Sequence, residues 1–372
     1  MPPVDDSPHP RRTAGAPARS GGIVAGVLVN NTGYAAAEAV LMDTDGREVF
    51  LVVAKASFRW QPDGSLQPIE PAPPVVSTDL FAGPPATSGL LVAGEQTLPK
   101  PRVDFLIQGE IVRDTPTEQV DCTLEIGNRL VKSVRVFGDR HWRHGAGGSM
   151  VPSRPRPFVR MPIEWQRSFG GADPDDPSCL DRRNPIGRGV RRRVATLEGH
   201  PVPNFEDPAA PILDAHKPQA PVGWGPIAPH WQSRSELAGT YDARWQAERF
   251  PLLPLDFDRA FLNVAPRDQQ LERYQPGAEV RLTGFTPRRR EWFVLPEWAP
   301  LVTVVDARTI IEVPSRVDTV VAEPMEQRLT LVARAVHTPQ DVQALATAFL
   351  GPLAAEQRQA LRAGKPVPAL PV

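Results

Sequence analysis

Residues 122–136 read Cys-Thr-Leu-Glu-Ile-Gly-Asn-Arg-Leu-Val-Lys-Ser-Val-Arg-Val, and this stretch decides the fold class. Apolar residues share one face of two successive strands: Cys122, Leu124, Ile126, Leu130, Val134 and Val136. Gly127-Asn128, between the two runs, is a two-residue turn of the kind that joins antiparallel strands. Lys132 interrupts the apolar face. The stretch therefore predicts a β-hairpin in an antiparallel sheet.

Similar signals occur on both sides of this hairpin. Upstream, strands at 39–42 and 49–60 flank a turn at Asp45-Gly46, and a second turn follows at Asp63-Gly64, as in a meander. Downstream, strand-like stretches imply another antiparallel sheet: 280–282, 292–295, 301–313, 317–322 and 328–336. We therefore predict a mainly β protein whose antiparallel sheets are sandwich-like or meandering.

Between about His141 and His230 the alternation disappears, and proline, glycine and arginine dominate. Irregular stretches of this length are either disordered or anchored by their own side chains. Disordered segments are poor in aromatic residues, whereas this one contains six large ones: Trp142, Phe158, Trp165, Phe169, Phe205 and Trp224. We predict an ordered irregular segment that these side chains hold against the β core.

The chain changes character after the last strand. Thr338 is suited to cap a helix and Pro339 to begin one, and Ala, Leu and Gln are frequent up to Arg362. Gly351-Pro352 would divide this stretch into two short helices, with Gly364 ending the second. The sequence thus suggests five parts: a disordered tail at 1–20, a β unit at 21–140, an irregular motif-rich segment at 141–278, a second β unit at 279–336 packed with the first, and a helical tail at 337–372.

Composition restricts the function classes. The 372 residues carry 42 basic and 43 acidic side chains, so no overall field attracts nucleic acid or an anionic membrane. Cys122 and Cys179 suit neither a disulfide framework nor a structural zinc site, which indicates a reducing compartment. No apolar stretch follows Arg11-Arg12, and no window approaches the roughly 18 apolar residues of a membrane helix. We expect a soluble protein of the cytoplasm.

Two short motifs resemble metal sites but lack necessary residues. Asp173-Pro-Asp-Asp176 opens like a calcium loop, yet Ser178 replaces the required glycine and Asn184 the final glutamate, so a turn is the better interpretation. His141 and His144 are followed by glycines that argue against a helix presenting both, and spacing suggests no third ligand. We expect neither a metal nor a cofactor.

Candidate catalytic groups are also incomplete. Asp256 and Asp258 would share a face of an extended segment, as an acid–base pair requires, but local hydrogen bonds in turns are the simpler role. Ser168, His230 and Asp242 are the residue types of a hydrolase triad, although Ser168 lies outside a Gly-x-Ser-x-Gly elbow. We expect no catalytic residue, and a hydrolase that uses His230, Asp242 and Asp256 is the alternative.

Arginine accumulates within the irregular segment, at Arg182, Arg183, Arg188, Arg191, Arg192 and Arg193. Residues 151–200 hold 10 arginines against 6 acidic residues. Docking of a partner protein, or plain solvation, is the favoured interpretation. An anion or nucleic-acid binder is a second alternative, although no nucleic-acid-binding motif accompanies the cluster and nucleic acid is not the expected partner.

A series of short motifs runs in a fixed order through the chain. They are Val136-Phe-Gly-Asp-Arg-His-Trp142, Arg167-Ser-Phe-Gly-Gly171, Asn184-Pro-Ile-Gly-Arg-Gly189, Pro203-Asn204, Gly223-Trp-Gly-Pro-Ile-Ala-Pro-His-Trp231, Gly239-Thr-Tyr-Asp242 with Trp245, Pro251-Leu-Leu-Pro-Leu-Asp-Phe-Asp258, Phe261-Leu-Asn-Val-Ala-Pro266 with Asp268, and Val317-Asp-Thr319. Together they resemble a bacterial family found beside type VI secretion spike genes, over roughly residues 25–335. Gln166 and Ala333 depart from the family pattern, which commonly has an acidic residue and a tryptophan there.

The resemblance implies an adaptor or chaperone that loads effectors onto the PAAR-tipped spike, with an effector, a PAAR-tip protein or the VgrG spike as partner. The candidate partner-binding residues are Arg167, Phe169, Gly170, Gly171, Asn184, Gly187, Gly189, Arg191, Arg192, Arg193, Trp224, His230, Trp231, Arg234, Tyr241, Asp242, Trp245, Asp256 and Asp258. Glycines permit close backbone approach, and aromatic residues are favoured at interfaces. The same residues would equally lock a loop onto its own core, so both interpretations stay open.

Overall fold

The structure, a computed structural model, describes residues 27–217, 219–288, 291–306, 309–339, 345–363 and 365. Its first twelve strands are β1 (Val27–Asn30), β2 (Ala35–Met42), β3 (Glu48–Trp60), β4 (Leu66–Ile69), β5 (Leu80–Phe81), β6 (Leu90–Val92), β7 (Val103–Ile107), β8 (Glu110–Thr117), β9 (Gln119–Ile126), β10 (Leu130–Phe137), β11 (Trp142–His144) and β12 (Met150–Pro152). The remaining strands are β13 (Phe158–Pro162), β14 (Phe169–Asp173), β15 (Asp176–Asp181), β16 (Arg188–Gly189), β17 (Phe205–Glu206), β18 (Gln270–Leu271), β19 (Glu279–Thr283), β20 (Glu291–Val294), β21 (Val302–Asp306), β22 (Thr309–Val313), β23 (Arg316–Glu323), β24 (Arg328–His337) and β25 (Leu345–Leu350). The predicted mainly β fold class is confirmed.

Helices are short and few among the described residues. The α-helices are α1 (Gln232–Ser235), α2 (Ala243–Glu248) and α3 (Ala355–Arg362), and 3₁₀ turns occur at Ala146–Gly148, Trp165–Arg167, Val194–Leu197, Arg259–Leu262 and Arg267–Gln269. In this part of the chain no helix has the length and apolar character to span a bilayer.

The largest sheet has seven strands and is buried on both faces. Its order is β18-β7-β23-β24-β3-β2, with β4 pairing beside β3, and the pairing is antiparallel except between β7 and β23. Side chains alternate between the faces of a strand. On β3, Phe50 and Val52 face the main core, whereas Leu51, Val53 and Lys55 face the opposite side, and all five are buried. The second face therefore needs its own cover, which explains the long continuous apolar runs.

The predicted hairpin lies in a five-stranded sheet of order β17-β10-β9-β19-β20. β9 and β10 pair antiparallel along their whole length, which confirms the hairpin. Ile126 pairs with Leu130, so the turn has three residues and the predicted two-residue turn is wrong. Gly127 takes a φ of 52°, and the Arg129 N–H closes the turn on the Ile126 carbonyl. The extra residue preserves the apolar register on both strands.

The seven-stranded and five-stranded sheets contribute to one large hydrophobic core. Trp60 of β3 stacks on Phe293 of β20 with ring centroids 4.8 Å apart. Phe105 of β7 and Val134 of β10 belong to the same buried cluster. The late strands thus complete sheets that begin early in the chain: β19 and β20 join the hairpin, while β23 and β24 lie in the centre of the largest sheet. The division of the chain into units stays a prediction.

Two helices were predicted in the C-terminal region; the first prediction is wrong and the second is confirmed. Residues 345–350, expected to be helical, form β25 between β1 and β21, in a four-stranded sheet of order β1-β25-β21-β22. Pairing on both sides, together with burial of Ala348, Phe349 and Leu350, outweighs the helix propensity of Ala and Leu. Gly351 turns the chain out of the sheet at a φ of 88°, and α3 follows as predicted. The predicted tail at 1–20 and Gly364 lie outside the described residues.

The motif-rich region is ordered, as predicted, and is built from short strands and 3₁₀ turns. Five of the six aromatic side chains named for it are buried: Trp142, Phe158, Trp165, Phe205 and Trp224. Phe169 is half-buried. Aromatic side chains therefore hold irregular backbone against the core, which confirms that prediction.

Candidate protein-interaction surface

Two of the glycine motifs pair with each other. β14 and β16 run parallel with Gly170 beside Gly189. A Cβ at Gly170 would lie 2.2 Å from the Asn184 carbonyl oxygen, and a Cβ at Gly171 would lie 2.3 Å from that of Gly187. The buried Asn184 amide donates two 2.9 Å hydrogen bonds to backbone carbonyls of the same loop. These residues close a tight turn, and their buried atoms are out of reach of a partner.

Trp224 and Trp231 are completely buried in the chain's own core. Trp231 packs edge-to-face against Trp165, with ring centroids 5.7 Å apart, and the Trp165 Nε1–H donates to the Pro226 carbonyl at 3.0 Å. Trp224 packs edge-to-face against Phe285 at 5.2 Å. These two tryptophans therefore hold loops against the protein's own core, and their side chains are not available to a partner.

Lys132, the residue that interrupts the hairpin pattern, ties the Gly223-Trp224 loop to β10. Its buried ammonium donates to the Gly223 carbonyl at 2.7 Å, to Asp268 Oδ1 at 2.8 Å and to Gln269 Oε1 at 2.7 Å. Burial lowers the pKa of Lys132 to about 8, although the Asp268 carboxylate opposes this shift. The break in the apolar pattern therefore marks a buried polar clamp between two of the motifs.

Arg234 is a second buried cation, and its side chain points into the interior of the protein. Its guanidinium donates to the Ile227 carbonyl at 2.7 Å and to the Phe261 carbonyl at 3.0 Å, and burial lowers the pKa of Arg234 to about 10. Arg167 is half-buried, with Nη1 3.6 Å from Asp139 Oδ1. Both arginines brace loops from within.

Most of the central arginine cluster is engaged within its own loops. Arg183 pairs with Asp181, Arg188 donates to the Gln166 carbonyl, and Arg192 pairs with Asp176. Arg191 donates to the Val190 and Ala172 carbonyls. Arg182 and Arg193 are exposed. Anion binding by this cluster stays a prediction.

The candidate catalytic residues do not form a constellation. The Ser168 hydroxyl is buried and accepts a hydrogen bond from Val222 N at 2.8 Å. His230 lies against Phe81 and Trp231, and burial lowers its pKa, as does the nearby charge of Arg234. Asp242 caps α2 by accepting from Trp245 N at 2.8 Å. None of the three hydrogen-bonds to another within the part of the chain that the structure describes.

The carboxylates near position 256 serve the backbone, as the simpler interpretation predicted. Asp256 accepts from Thr240 N at 3.0 Å and from Thr240 Oγ1 at 2.7 Å. Asp258 caps the following 3₁₀ turn by accepting from Ala260 N at 2.8 Å. Each carboxylate thus fixes a turn of the loop.

The metal-like motifs also have local roles. Asp173 accepts from Asp175 N at 3.0 Å, which confirms the predicted turn. His144 Nε2 lies 3.3 Å from Glu198 Oε2, and His141 is exposed. Among the described residues, no three His, Cys, Asp or Glu side chains are close enough to hold a metal ion.

A cavity of about 260 Å³ lies on the second face of the seven-stranded sheet. Three buried ion pairs line or border it: Lys55–Glu95 at 2.9 Å, Lys100–Asp104 at 2.7 Å, and Arg334–Asp318. Glu95 also accepts from Val76 N at 2.7 Å, so the network fastens the segment that covers the sheet. Each cation has a carboxylate partner, as buried charges require. Of these six residues only Asp318 belongs to a motif identified from the sequence, although a lysine inside an apolar strand, Lys55, was a usable signal.

A groove of about 490 Å³ is lined by three of the predicted partner-binding residues, Asp242, Trp245 and Asp256. The groove-lining residues are Thr240, Asp242, Arg244, Trp245, Glu248, Arg249, Pro254, Leu255 and Asp256, and we call this feature the aromatic groove. Tyr241 lies beside it, with its ring edge-to-face on Trp245 at 4.7 Å.

The aromatic groove is fastened to the β scaffold by side-chain hydrogen bonds to backbone carbonyls. Trp245 Nε1–H donates to the Leu252 carbonyl at 2.8 Å. Arg249 donates to the Leu253 carbonyl at 2.9 Å and, from Nη2, to the Thr44 carbonyl at 2.8 Å. Thr44 belongs to the turn between β2 and β3, so a core hairpin supports the groove.

Large apolar side chains remain exposed on this fastened element. Tyr241 is 52% exposed, Phe250 66% and Leu255 84%. Phe250 packs edge-to-face on Trp245 at 5.6 Å, which extends the row of rings. Tyr241 and Trp245 were predicted from the sequence as partner-binding residues. Phe250 and Leu255 were not, because nothing in a proline-bounded stretch indicates which apolar side chains face outward.

Comparison with known proteins identifies a family. The model of a family described as "Uncharacterized protein conserved in bacteria (DUF2169)" matches residues 45–334. No curated protein and no solved structure matches the chain. The matched range contains every motif on which the resemblance was based.

Proposed function

We infer that this chain, which belongs to the DUF2169 family of bacterial proteins, is an adaptor or chaperone of type VI secretion. It binds an effector or a PAAR-tip or VgrG spike protein in the cytoplasm and holds it for loading on the spike. The choice of partner rests on the resemblance of the series of motifs to the family found beside type VI secretion spike genes. The choice of surface rests on the aromatic groove.

One observation carries the adaptor proposal: apolar side chains are exposed on an element that is itself held in place. Tyr241, Phe250 and Leu255 project beside a row of packed rings, on a loop that Arg249 and Trp245 fasten to the scaffold. Exposed apolar clusters on a folded protein typically mark contact sites. A fixed aromatic surface loses little entropy on binding, so it suits a protein interface.

The hydrolase alternative receives less support from the same geometry. Its proposed residues are His230, Asp242 and Asp256, of which both carboxylates accept hydrogen bonds that fix local turns. The charges at the cavity on the second face of the seven-stranded sheet are paired with one another, whereas a catalytic acid or base needs a group poised to exchange a proton. An adaptor is therefore the function that the geometry favours.

Affinity purification from the native bacterium tests the proposal. The bait is the full chain, compared with a Tyr241→Ala/Leu255→Ala variant and with Leu213→Ala as the matched control, since Leu213 is 60% exposed in a different loop. We expect wild type and Leu213→Ala to retain a type VI effector or spike protein, and the groove variant to lose it while its circular dichroism and melting temperature stay unchanged.

Two outcomes would contradict the proposal. If no secretion component co-purifies with wild type, the adaptor function fails. If the groove variant retains the partner and an Arg191→Ala/Arg192→Ala/Arg193→Ala variant loses it, the arginine cluster is the contact surface. Trp231→Ala is unsuitable as a probe of the interface because Trp231 is completely buried.

A further inference from the structure

The charges of the aromatic groove are unevenly compensated. Arg244 pairs with Glu248 at 3.0 Å. The guanidinium of Arg249 donates to the backbone carbonyls beneath the loop, so these N–H groups face the scaffold. Asp242 and Asp256 also line the groove, and neither has an ion-pair partner among the residues that the structure describes. The lining residues thus include three carboxylates against two guanidinium groups, and the carboxylates of Asp242 and Asp256 lie without an ion pair beside an exposed apolar surface.

Local hydrogen bonds keep these carboxylates in place. Asp256 receives the backbone N–H and the hydroxyl of Thr240, and these bonds hold the pKa of Asp256 below its usual value. Asp242 receives the Trp245 N–H at the start of α2. Every donor in these bonds is neutral, so the hydrogen bonds fix the carboxylates without cancelling their charge.

We propose that the aromatic groove recognises a segment of the partner in which a Lys or Arg side chain stands next to an apolar anchor; this rests on the proposed adaptor function. The anchor would cover Tyr241 and Leu255, and the cation would face Asp242 and Asp256. The methylene stem of Lys or Arg packs well on apolar surface while its charged end reaches a carboxylate. Aromatic rings nearby add attraction for a cation. An acidic segment would be repelled.

A peptide-display library of random dodecapeptides selected on the immobilised full chain tests this inference. The matched variant is Asp242→Asn/Asp256→Asn, in which each asparagine keeps an oxygen that accepts the original backbone hydrogen bond, so the groove keeps its shape. We expect peptides selected on wild type to be enriched in Lys or Arg within two positions of an aromatic or aliphatic residue. Selection on the variant should keep the apolar anchor and lose the basic enrichment.

Calorimetry with the leading selected peptide gives the second readout. Two exposed charge contacts predict binding to the variant about three- to tenfold weaker than to wild type. Binding to wild type should weaken between 50 and 300 mM NaCl, whereas binding to the variant should change little. Equal peptide pools, or equal affinity and salt dependence, would overturn the inference.

The two proposals fail in distinguishable ways. Loss of the native partner in Tyr241→Ala/Leu255→Ala, together with equal peptide pools on wild type and the asparagine variant, would keep the adaptor function and reject the basic recognition feature. Retention of the native partner by the groove variant would reject the groove as the contact surface, and the inference with it.

Discussion

The motif-rich segment contains two aromatic clusters, of which one is buried and the other is exposed to solvent. Trp165 and Trp231 pack edge-to-face inside the protein and brace irregular loops. Tyr241, Phe250 and Leu255 lie around a similarly packed ring system, yet they are more than half exposed. Both clusters rest on backbone held by side-chain hydrogen bonds. The difference teaches that aromatic residues in such motifs serve either fold or contact, and that burial separates the two roles.

Removing a buried tryptophan should have the largest effect on stability. Trp231→Ala leaves a cavity beside Trp165, and we expect the free energy of unfolding to fall by about 3–5 kcal/mol. Urea unfolding followed by circular dichroism measures this change. Tyr241→Ala is the partner experiment and should cost less than about 1 kcal/mol because its side chain is half exposed. A similar fall in the free energy of unfolding in both variants would contradict the distinction between the structural cluster and the exposed cluster.

The buried Lys132 clamp predicts an unusual pH dependence. Burial lowers the pKa of Lys132 to about 8, whereas in the unfolded chain this pKa is about 10.5. Between these values the unfolded chain binds the proton and the folded protein does not, so stability rises with pH, by up to about 3 kcal/mol. Urea unfolding at pH 7, 8.5 and 10 measures the slope.

Two variants check the assignment of that slope to Lys132. Lys132→Met should abolish the rise between pH 8 and 10.5, since it removes the titrating group. Asp268→Asn removes the carboxylate that favours the charged form, so the rise should begin at lower pH. Identical slopes in wild type and Lys132→Met would show that other groups cause the pH dependence.

Close backbone contact in the glycine motifs predicts an intermediate effect. At Gly171, φ is 88° and a Cβ would meet the Gly187 oxygen at 2.3 Å. Gly109 has a similar φ of 99° with nothing within 4 Å of its Cβ position, so it is a matched control. Gly109→Ala should cost about 1–2 kcal/mol through backbone strain alone, and Gly171→Ala more, about 2–3 kcal/mol. Equal losses in urea unfolding would show that the contact relaxes freely.

The smallest stability effect belongs to the aromatic groove. Leu255→Ala and the matched Leu213→Ala should each change the free energy of unfolding by less than about 0.5 kcal/mol, because both side chains are mostly exposed. In the affinity purification, Leu255→Ala alone should already reduce partner recovery. A clear destabilisation by Leu255→Ala would place this side chain with the structural cluster.

Much of the scaffold was predictable from local pattern. The hairpin around Gly127 was predicted from the alternation of apolar and polar residues. The interruption of that pattern at Lys132 corresponds to the buried polar clamp. The strand at Leu345–Leu350 was not predictable, because its conformation comes from pairing with β1 and β21, which are distant in sequence. Local propensity does not indicate whether a distant pair of strands leaves a position between them for a third strand.

The site was predictable only in part, for a similar reason. Tyr241 and Trp245 were identified by residue type and motif, but so were Trp224 and Trp231, which are buried. Exposure depends on which surface the rest of the chain covers, and the sequence of a loop does not specify that. Leu255 shows the limit, since it is 84% exposed although nothing in its proline-bounded stretch indicates which apolar side chains face outward.

Site-specific photo-crosslinking in the native bacterium tests most directly whether the aromatic groove contacts a secretion partner. The substitution Leu255→p-benzoylphenylalanine places the crosslinker on the groove, and Leu213→p-benzoylphenylalanine places it on an exposed control position in a different loop. We expect ultraviolet light to produce an adduct with a type VI effector or spike protein from position 255 and none from position 213. No adduct from position 255, or the same adduct from both positions, would contradict the account.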